Sequence, residues 1–183
     1  MDPEREQLFQ RVANVLTANP GASTGEIAVA AEVSRATLHR VFGTREDLVG
    51  TVYGWLLEQC DLILDRSGIE SGPVLESFER LVGASYPLAQ SYWLLIAKPE
   101  LENVPEIRDG IEKLDARLEA FFIRGQKEGV FRPDLPSRWL VYSLGAQVMS
   151  AWYLVDEGFA GAREVPRLVR AVVLDGVRAR AGE

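Results

Sequence analysis

Residues 24–48 read TGEIAVAAEVSRATLHRVFGTREDL. Ile27, Ala28, Ala31 and Val33 are apolar at helical spacing, and Leu38, Val41 and Phe42 repeat the pattern after a short break. Ala28 and Ala31 are small, which lets two helices cross closely. Ser34 is placed to accept a free amide of the following turn with its hydroxyl. The spacing therefore predicts two short helices joined by a tight turn. Gly43 closes the second, and Thr44 caps a third. The outward positions of the second helix are Arg35, Thr37, His39 and Arg40, and residues 33–45 hold three arginines and no acid. This is the pattern of a helix-turn-helix, whose second helix enters the DNA major groove.

The stretch IAVAAEVSRATLHRVFGTREDLV resembles the DNA-binding segment of TetR-family transcriptional regulators. The matching parts are the I-A-x-x-A-x-V-S helix and turn, the T-L-x-x-x-F recognition helix, and the short turn to a basic residue. They cover about the first third of the chain. Glu32 departs from the pattern, standing where the family usually has glycine. That turn favours a left-handed backbone, so a side chain there costs about 1 kcal/mol. His39 replaces the usual tyrosine, and Val41 a frequent histidine or tyrosine. A histidine can also donate to a phosphate, more strongly when protonated. The helix-turn-helix reading directs Arg35, Thr37 and Arg40 toward bases and phosphates. It puts Thr24, His39, Thr44 and Arg45 on the DNA backbone. Thr24 and Thr44 stand at helix starts, where free amides favour a phosphate.

Charge complicates this reading. The 183 residues carry a formal net charge of -7, and residues 1–50 hold five arginines against seven acids, a net of -2. Only the strip of Arg35, His39, Arg40 and Arg45 is basic. DNA binding is therefore expected to depend on a dimer, which doubles the phosphate contacts. Cys60 is the one cysteine, so no intramolecular disulfide forms. The start, MDPEREQLF, lacks the regions of a signal peptide, and no apolar run nears the ~20 residues that span a bilayer. A cytoplasmic protein is expected, with no membrane partner.

No segment shows period-2 alternation, so the whole chain is expected to be all-α. Pro3 opens a first helix, which Asn19-Pro20-Gly21 ends. A long helix runs from about Arg45 to Asp65, with Leu48, Val52, Trp55, Leu56, Cys60 and Ile63 on one side. After the loop Ser67–Pro73 come helices from Val74 to about Ala84, between Pro87 and Pro99, and from Asn103-Pro105 to about Glu128. Residues 137–156 are apolar nearly all round. Residues 163–180 carry Val165, Leu168, Val169, Val172 and Val173 on one face. The expected organisation is a DNA-binding unit over residues 3–63, with its motif at about 24–43. A larger C-terminal domain over 64–183 would serve ligand binding and dimerisation.

The TetR resemblance implies a pocket for a small, largely apolar effector, enclosed by helices from the long linker onward. Its candidate lining is Trp55, Cys60, Tyr86 and Trp93, with Phe121, Phe122, Met149 and Trp152. Taken singly, each is more simply a core residue. The family also implies a homodimer through helices 137–156 and 163–180, where Ser143, Ala146 and Ser150 form a small-residue stripe. His39 is the one histidine and lies on the recognition helix, so no catalytic triad or metal-ligand spacing is present. No enzyme activity, metal or cofactor is expected. The expected function is a repressor of a palindromic operator, released by its effector. A small-molecule binding protein with little DNA affinity and a transcriptional activator are the alternatives.

Overall fold

The computed structural model describes residues 2–85, 89 and 104–177. Its helices, in chain order, are α1 (Pro3–Ala18), α2 (Thr24–Ala30), α3 (Arg35–Phe42), α4 (Arg45–Ser67) and α5 (Val74–Gly83). After residues outside the description come α6 (Pro105–Lys127), α7 (Ser137–Asp156), a 3-10 turn (Ala162–Glu164) and α8 (Val165–Val177). No strand occurs among the described residues, and no described helix is long and apolar enough to cross a membrane. The helix expected between Pro87 and Pro99 lies, apart from Ala89, outside the described residues. The last helix starts two residues later than expected. Pro166 falls in its first turn, where a missing N–H leaves no helical bond unmade.

Among the described residues, 2–59 and 104–110 form one unit, and 60–85, 89 and 111–177 another. The division falls inside α4.

In the first unit, the helical stripes close on a common core. Leu8, Phe9, Val12 and Leu16 from α1 are buried, as are Ile27, Ala28, Ala31, Leu38 and Phe42. The Phe9 ring lies 4.8 Å from Phe42 and 5.7 Å from Trp55, fixing α1 against α3 and the middle of α4.

The second unit is built around phenylalanines. The Phe131 ring packs 5.6 Å from Phe78, 5.8 Å from Phe121 and 5.2 Å from Phe122. Gly125 makes this possible, because a Cβ there would collide with the Phe131 ring. Val130 and Phe131 donate backbone N–H groups to the Gly125 carbonyl at 2.9 and 3.1 Å, holding the ring over α6. On the unit's surface, Arg117 gathers carboxylates. Its guanidinium donates to Asp61, to Asp65 at 2.6 Å and to Glu70 at 2.5 Å, while Lys113 meets Asp61 at 2.8 Å.

Helix α7 has two unlike faces. Leu140, Val141, Leu144, Val148 and Ala151 are buried. Trp139, Tyr142, Tyr153 and Leu154 are exposed, Trp139 by 61%. On α8, Val165, Val169, Val173 and Leu174 face inward, but Val172 does not. The sequence reading placed Val172 on the buried face. It is 57% exposed, and Leu174 takes the inward position.

Candidate nucleic-acid interface

Each short helix of the first unit is held by its own start and stop. Ser23 caps α2 in a reciprocal box: its Oγ accepts from Glu26 N at 3.3 Å, and its N–H donates to Glu26 Oε2 at 2.7 Å. Thr24, expected near this helix start, is the first helical residue and half-buried. The turn to α3 is a Schellman motif. Val33 N–H donates to Ala28 O at 2.9 Å, and Glu32 N–H to Val29 O at 3.1 Å. Glu32 is thereby forced to φ 58, the one left-handed non-glycine among the described residues. The sequence reading of this position holds.

Ser34 caps α3, its Oγ accepting from Thr37 N at 3.0 Å and lying 2.9 Å from Thr37 Oγ1. Leu38 and Phe42 point into the core. Arg35, His39 and Arg40 are left exposed, and Thr37 is half-buried. The Arg35 guanidinium lies over the first turn of α2. A Cβ on Gly25 would fall 2.5 Å from Arg35 Nη2, so a larger residue there would displace the flexible end of Arg35. Gly43, at φ 78, ends the helix.

Thr44 caps α4 with Asp47 as its partner. Asp47 Oδ2 accepts from Thr44 N at 2.9 Å and Thr44 Oγ1 at 2.7 Å, and Asp47 N donates to Thr44 Oγ1 at 3.1 Å. These bonds hold the Asp47 carboxyl below its ordinary pKa, the Thr44 side chain first and its backbone second. Glu26 is lowered in the same way by Ser23. Both acids are thus turned onto helix N-termini, where the dipole stabilises them. Both carboxylates stay ionised, each partnered by the donors of its own helix start.

Arg45 has a second task. Its Nε donates to Ala22 O at 3.1 Å and its Nη2 to Pro20 O at 3.0 Å. It ties the loop after α1 to the start of α4, leaving its Nη1 donors for other partners. Two further cations escaped the sequence reading. Arg5 and Arg11 on α1 border an open groove whose other wall includes Thr37 and Arg40 of α3. Nothing local in the sequence marks them, because the groove forms only when α1 packs beside α3.

The expected pocket residues fall in several places. Trp55 belongs to the first unit, and its indole N–H is buried without a hydrogen-bond partner. Cys60 is buried, and its thiol is pushed up to about 12 by burial, with Asp61 adding to it. It is a neutral thiol at physiological pH. Phe121 and Phe122 interlock with Phe131 in the second unit's core, and Phe121 also borders an open groove of about 470 Å³. Met149 and Trp152 are half-buried on α7, the Trp152 ring 5.1 Å from Tyr153. Tyr86 and Trp93 lie outside the described residues.

No family model matches the chain. The HTH-type transcriptional regulator NfxB of Pseudomonas aeruginosa is 34% identical over 140 residues, covering 71% of both chains. The HTH-type transcriptional repressor LfrR of Mycolicibacterium smegmatis is 26% identical over 164 residues, 89% of this chain and 82% of that one. The crystal structure of the TetR-like regulator LfrR from Mycobacterium smegmatis in complex with proflavine superposes with a TM-score of 0.73 at 21% identity, over 96% of this chain and 97% of that one. The ketosteroid transcriptional regulator KstR2 of Mycobacterium tuberculosis superposes with a TM-score of 0.75 at 18% identity, over 98% and 97%. These relatives are transcriptional regulators rather than enzymes. With a relative 34% identical over 71% of both chains, the chain belongs to the TetR family of DNA-binding helix-turn-helix transcriptional regulators.

Proposed function

We propose that the chain is a homodimeric, cytoplasmic repressor that leaves its operator when a small, largely apolar effector binds. The observation that carries this reading is α3. It is capped at both ends, anchored by Leu38 and Phe42, and it presents Arg35, His39 and Arg40 outward. Arg35, Thr37 and Arg40 read bases and phosphates, Thr24, His39 and Arg45 hold the DNA backbone, and Thr44 joins them by turning its Oγ1 donor from Asp47 to a phosphate. Two copies of α3 then enter successive major grooves of a palindromic site. A relative named as a repressor supports the sign of regulation.

The dimer reading rests on the outer faces of α7 and α8 and on the turn that follows α7. Trp139, Tyr142, Tyr153, Leu154, Phe159 and Val172 are exposed, an apolar display that an isolated protein rarely keeps. Ala146 and Ser150 lie exposed on the same side of α7, small enough for a second helix to approach. Sedimentation of the full chain tests this. Tyr142→Arg should give monomers, and an unchanged dimer would place the interface elsewhere.

The effector reading is supported by the similar structure that holds proflavine and by the unpartnered Trp55 N–H. A buried donor of this kind costs about 1–3 kcal/mol until an acceptor arrives. Helix α4 runs from the first unit into the second and is the natural lever. Proflavine is the first probe. It should quench tryptophan emission and weaken binding to a duplex selected from a random library by the wild-type chain. By linkage, the duplex must weaken proflavine binding by the same factor. Proflavine binding with no change in DNA affinity would leave a DNA-binding protein that does not respond to this ligand.

A further inference from the structure

We propose that the groove between α1 and α3 is a second phosphate-binding site, in which Arg5 and Arg11 grip the DNA backbone beside the groove that α3 enters. The proposal rests on the family's DNA binding and extends the contact surface to a helix outside the helix-turn-helix.

The groove measures about 680 Å³ and opens to solvent. Arg5, Gln7 and Arg11 line it from α1, and Thr37 and Arg40 from α3. It is therefore continuous with the recognition strip. Asp2 and Glu4 line it as well, yet neither forms an ion pair with any of the three arginines. All three guanidinium groups thus keep donors that no carboxylate occupies.

Arg11 is the most telling of them. Its Nε is buried and has no hydrogen-bond partner. The stem is thus packed in place while the charged head lacks an internal acceptor. Arg5 is steadied differently, its guanidinium lying over the Phe9 ring at 5.6 Å from the centroid. A planar fork held by its stem and lacking an acid partner suits a phosphate oxygen. Asp2 and Glu4 weaken the site for a lone anion. They matter less for a duplex, which brings a row of phosphates and is already held by α3.

The test uses the full chain and two duplexes, one selected by the wild-type chain from a random library and one of mixed sequence. Affinity is followed by fluorescence anisotropy across a range of NaCl concentrations. In Arg5→Gln/Arg11→Gln, affinity should fall equally for both duplexes, and the slope of log affinity against log salt should shrink by about 2 per subunit. Each lost contact should cost about fivefold at about 0.15 M salt, the counterion-release contribution of one phosphate. Gln7→Lys adds a cation to the same groove and should raise both affinity and slope. It also decides the matter if Arg11→Gln fails to fold.

Unchanged slopes in these variants, with the wild type binding steeply, would overturn the groove site alone. A wild-type chain that binds neither duplex would overturn this proposal together with the DNA reading. Inorganic phosphate should compete no better than chloride at equal ionic strength. Specific competition by it that Arg11→Gln abolishes would make the site one for a free anion and overturn the duplex assignment.

Discussion

Arginines are treated differently in the two units. Arg5, Arg11, Arg35, Arg40 and Arg45 of the first form no ion pair within 4.0 Å among the described residues, and Arg108, at the start of α6, is that unit's exception, meeting its neighbour Asp109 at 2.9 Å. In the second, Arg80, Arg117, Arg124, Arg132, Arg138, Arg167 and Arg170 each meet a carboxylate, with Arg66 and Arg163 as exceptions. Acid supply does not explain the contrast, because residues 1–50 hold more acids than bases. What differs is where the acids point. Glu26 and Asp47 are bound to helix N-termini, and Asp2 and Glu4 lie near Arg5 and Arg11 without pairing. Net charge is thus a poor guide to a contact surface. The local field at a phosphate is set by neighbours within about one Debye length, roughly 8 Å at physiological salt.

The contrast can be broken at its strongest point in the second unit. Arg117→Met removes the cation facing Asp61, Asp65 and Glu70 and leaves three acids close together. A stability loss of about 2 kcal/mol is expected, discounted for the exposure of its partners, with no change in the salt slope of DNA binding. Calorimetry and anisotropy on one preparation check both halves. An altered slope with intact stability would mean that the unit's paired arginines also serve DNA.

Arg45 tests the boundary between the two treatments, since it is free of acids but bound to carbonyls. Arg45→Ala should cost about 1–2 kcal/mol through the lost bonds to Pro20 and Ala22, and should also weaken binding to all duplexes. A chemical denaturation midpoint equal to the wild type would remove the structural half of that role.

Glu32→Gly sharpens the comparison from the backbone side. Glycine takes φ 58 without strain, so a gain of about 1 kcal/mol is expected. A lower melting temperature would reveal a contact of the Glu32 side chain that offsets the strain.

The smallest effect is expected at Asp115, where pairing is incomplete. Burial raises its pKa first, with Arg138 lowering it and Glu119 raising it further, and Arg138 stands 3.5 Å away. A carboxyl raised on folding favours the native state below its unfolded pKa, and that advantage is lost as pH rises through the folded value. Asp115→Asn should therefore melt higher than the wild type near neutral pH. The gap should close as pH falls below the ordinary aspartate range. A gap that widens in acid would reverse the assignment.

The sequence was most legible where structure is local. The caps Ser34 and Thr44, the stop at Gly43 and the left-handed Glu32 each depend on partners within a few residues. Helix bounds followed from the same short-range signals, and α7 ends where expected. Long-range choices were not legible. Arg45 finds its carbonyls 23 and 25 residues away, and Arg117 reaches acids 47 to 56 residues away. An arginine reads the same in sequence whether a phosphate, a carbonyl or a carboxylate awaits it. Phe121 and Phe122 illustrate a second limit. Aromatic spacing cannot distinguish a cavity lining from an interlocked cluster, and their commitment to Phe131 depends on the room left by Gly125.

The contrast between free and paired arginines is tested most directly by replacing Arg35 and Arg40 together with alanine in the full chain. Melting temperature and salt-dependent DNA affinity should be measured on the same sample. Both residues are exposed and unpaired, so stability should stay within about 0.5 kcal/mol of the wild type. The salt slope should fall by about 2 per subunit, and affinity for the selected duplex should drop more than for the mixed-sequence one. A lower melting temperature with an unchanged slope would contradict this, because the two arginines would then belong to the fold rather than to DNA.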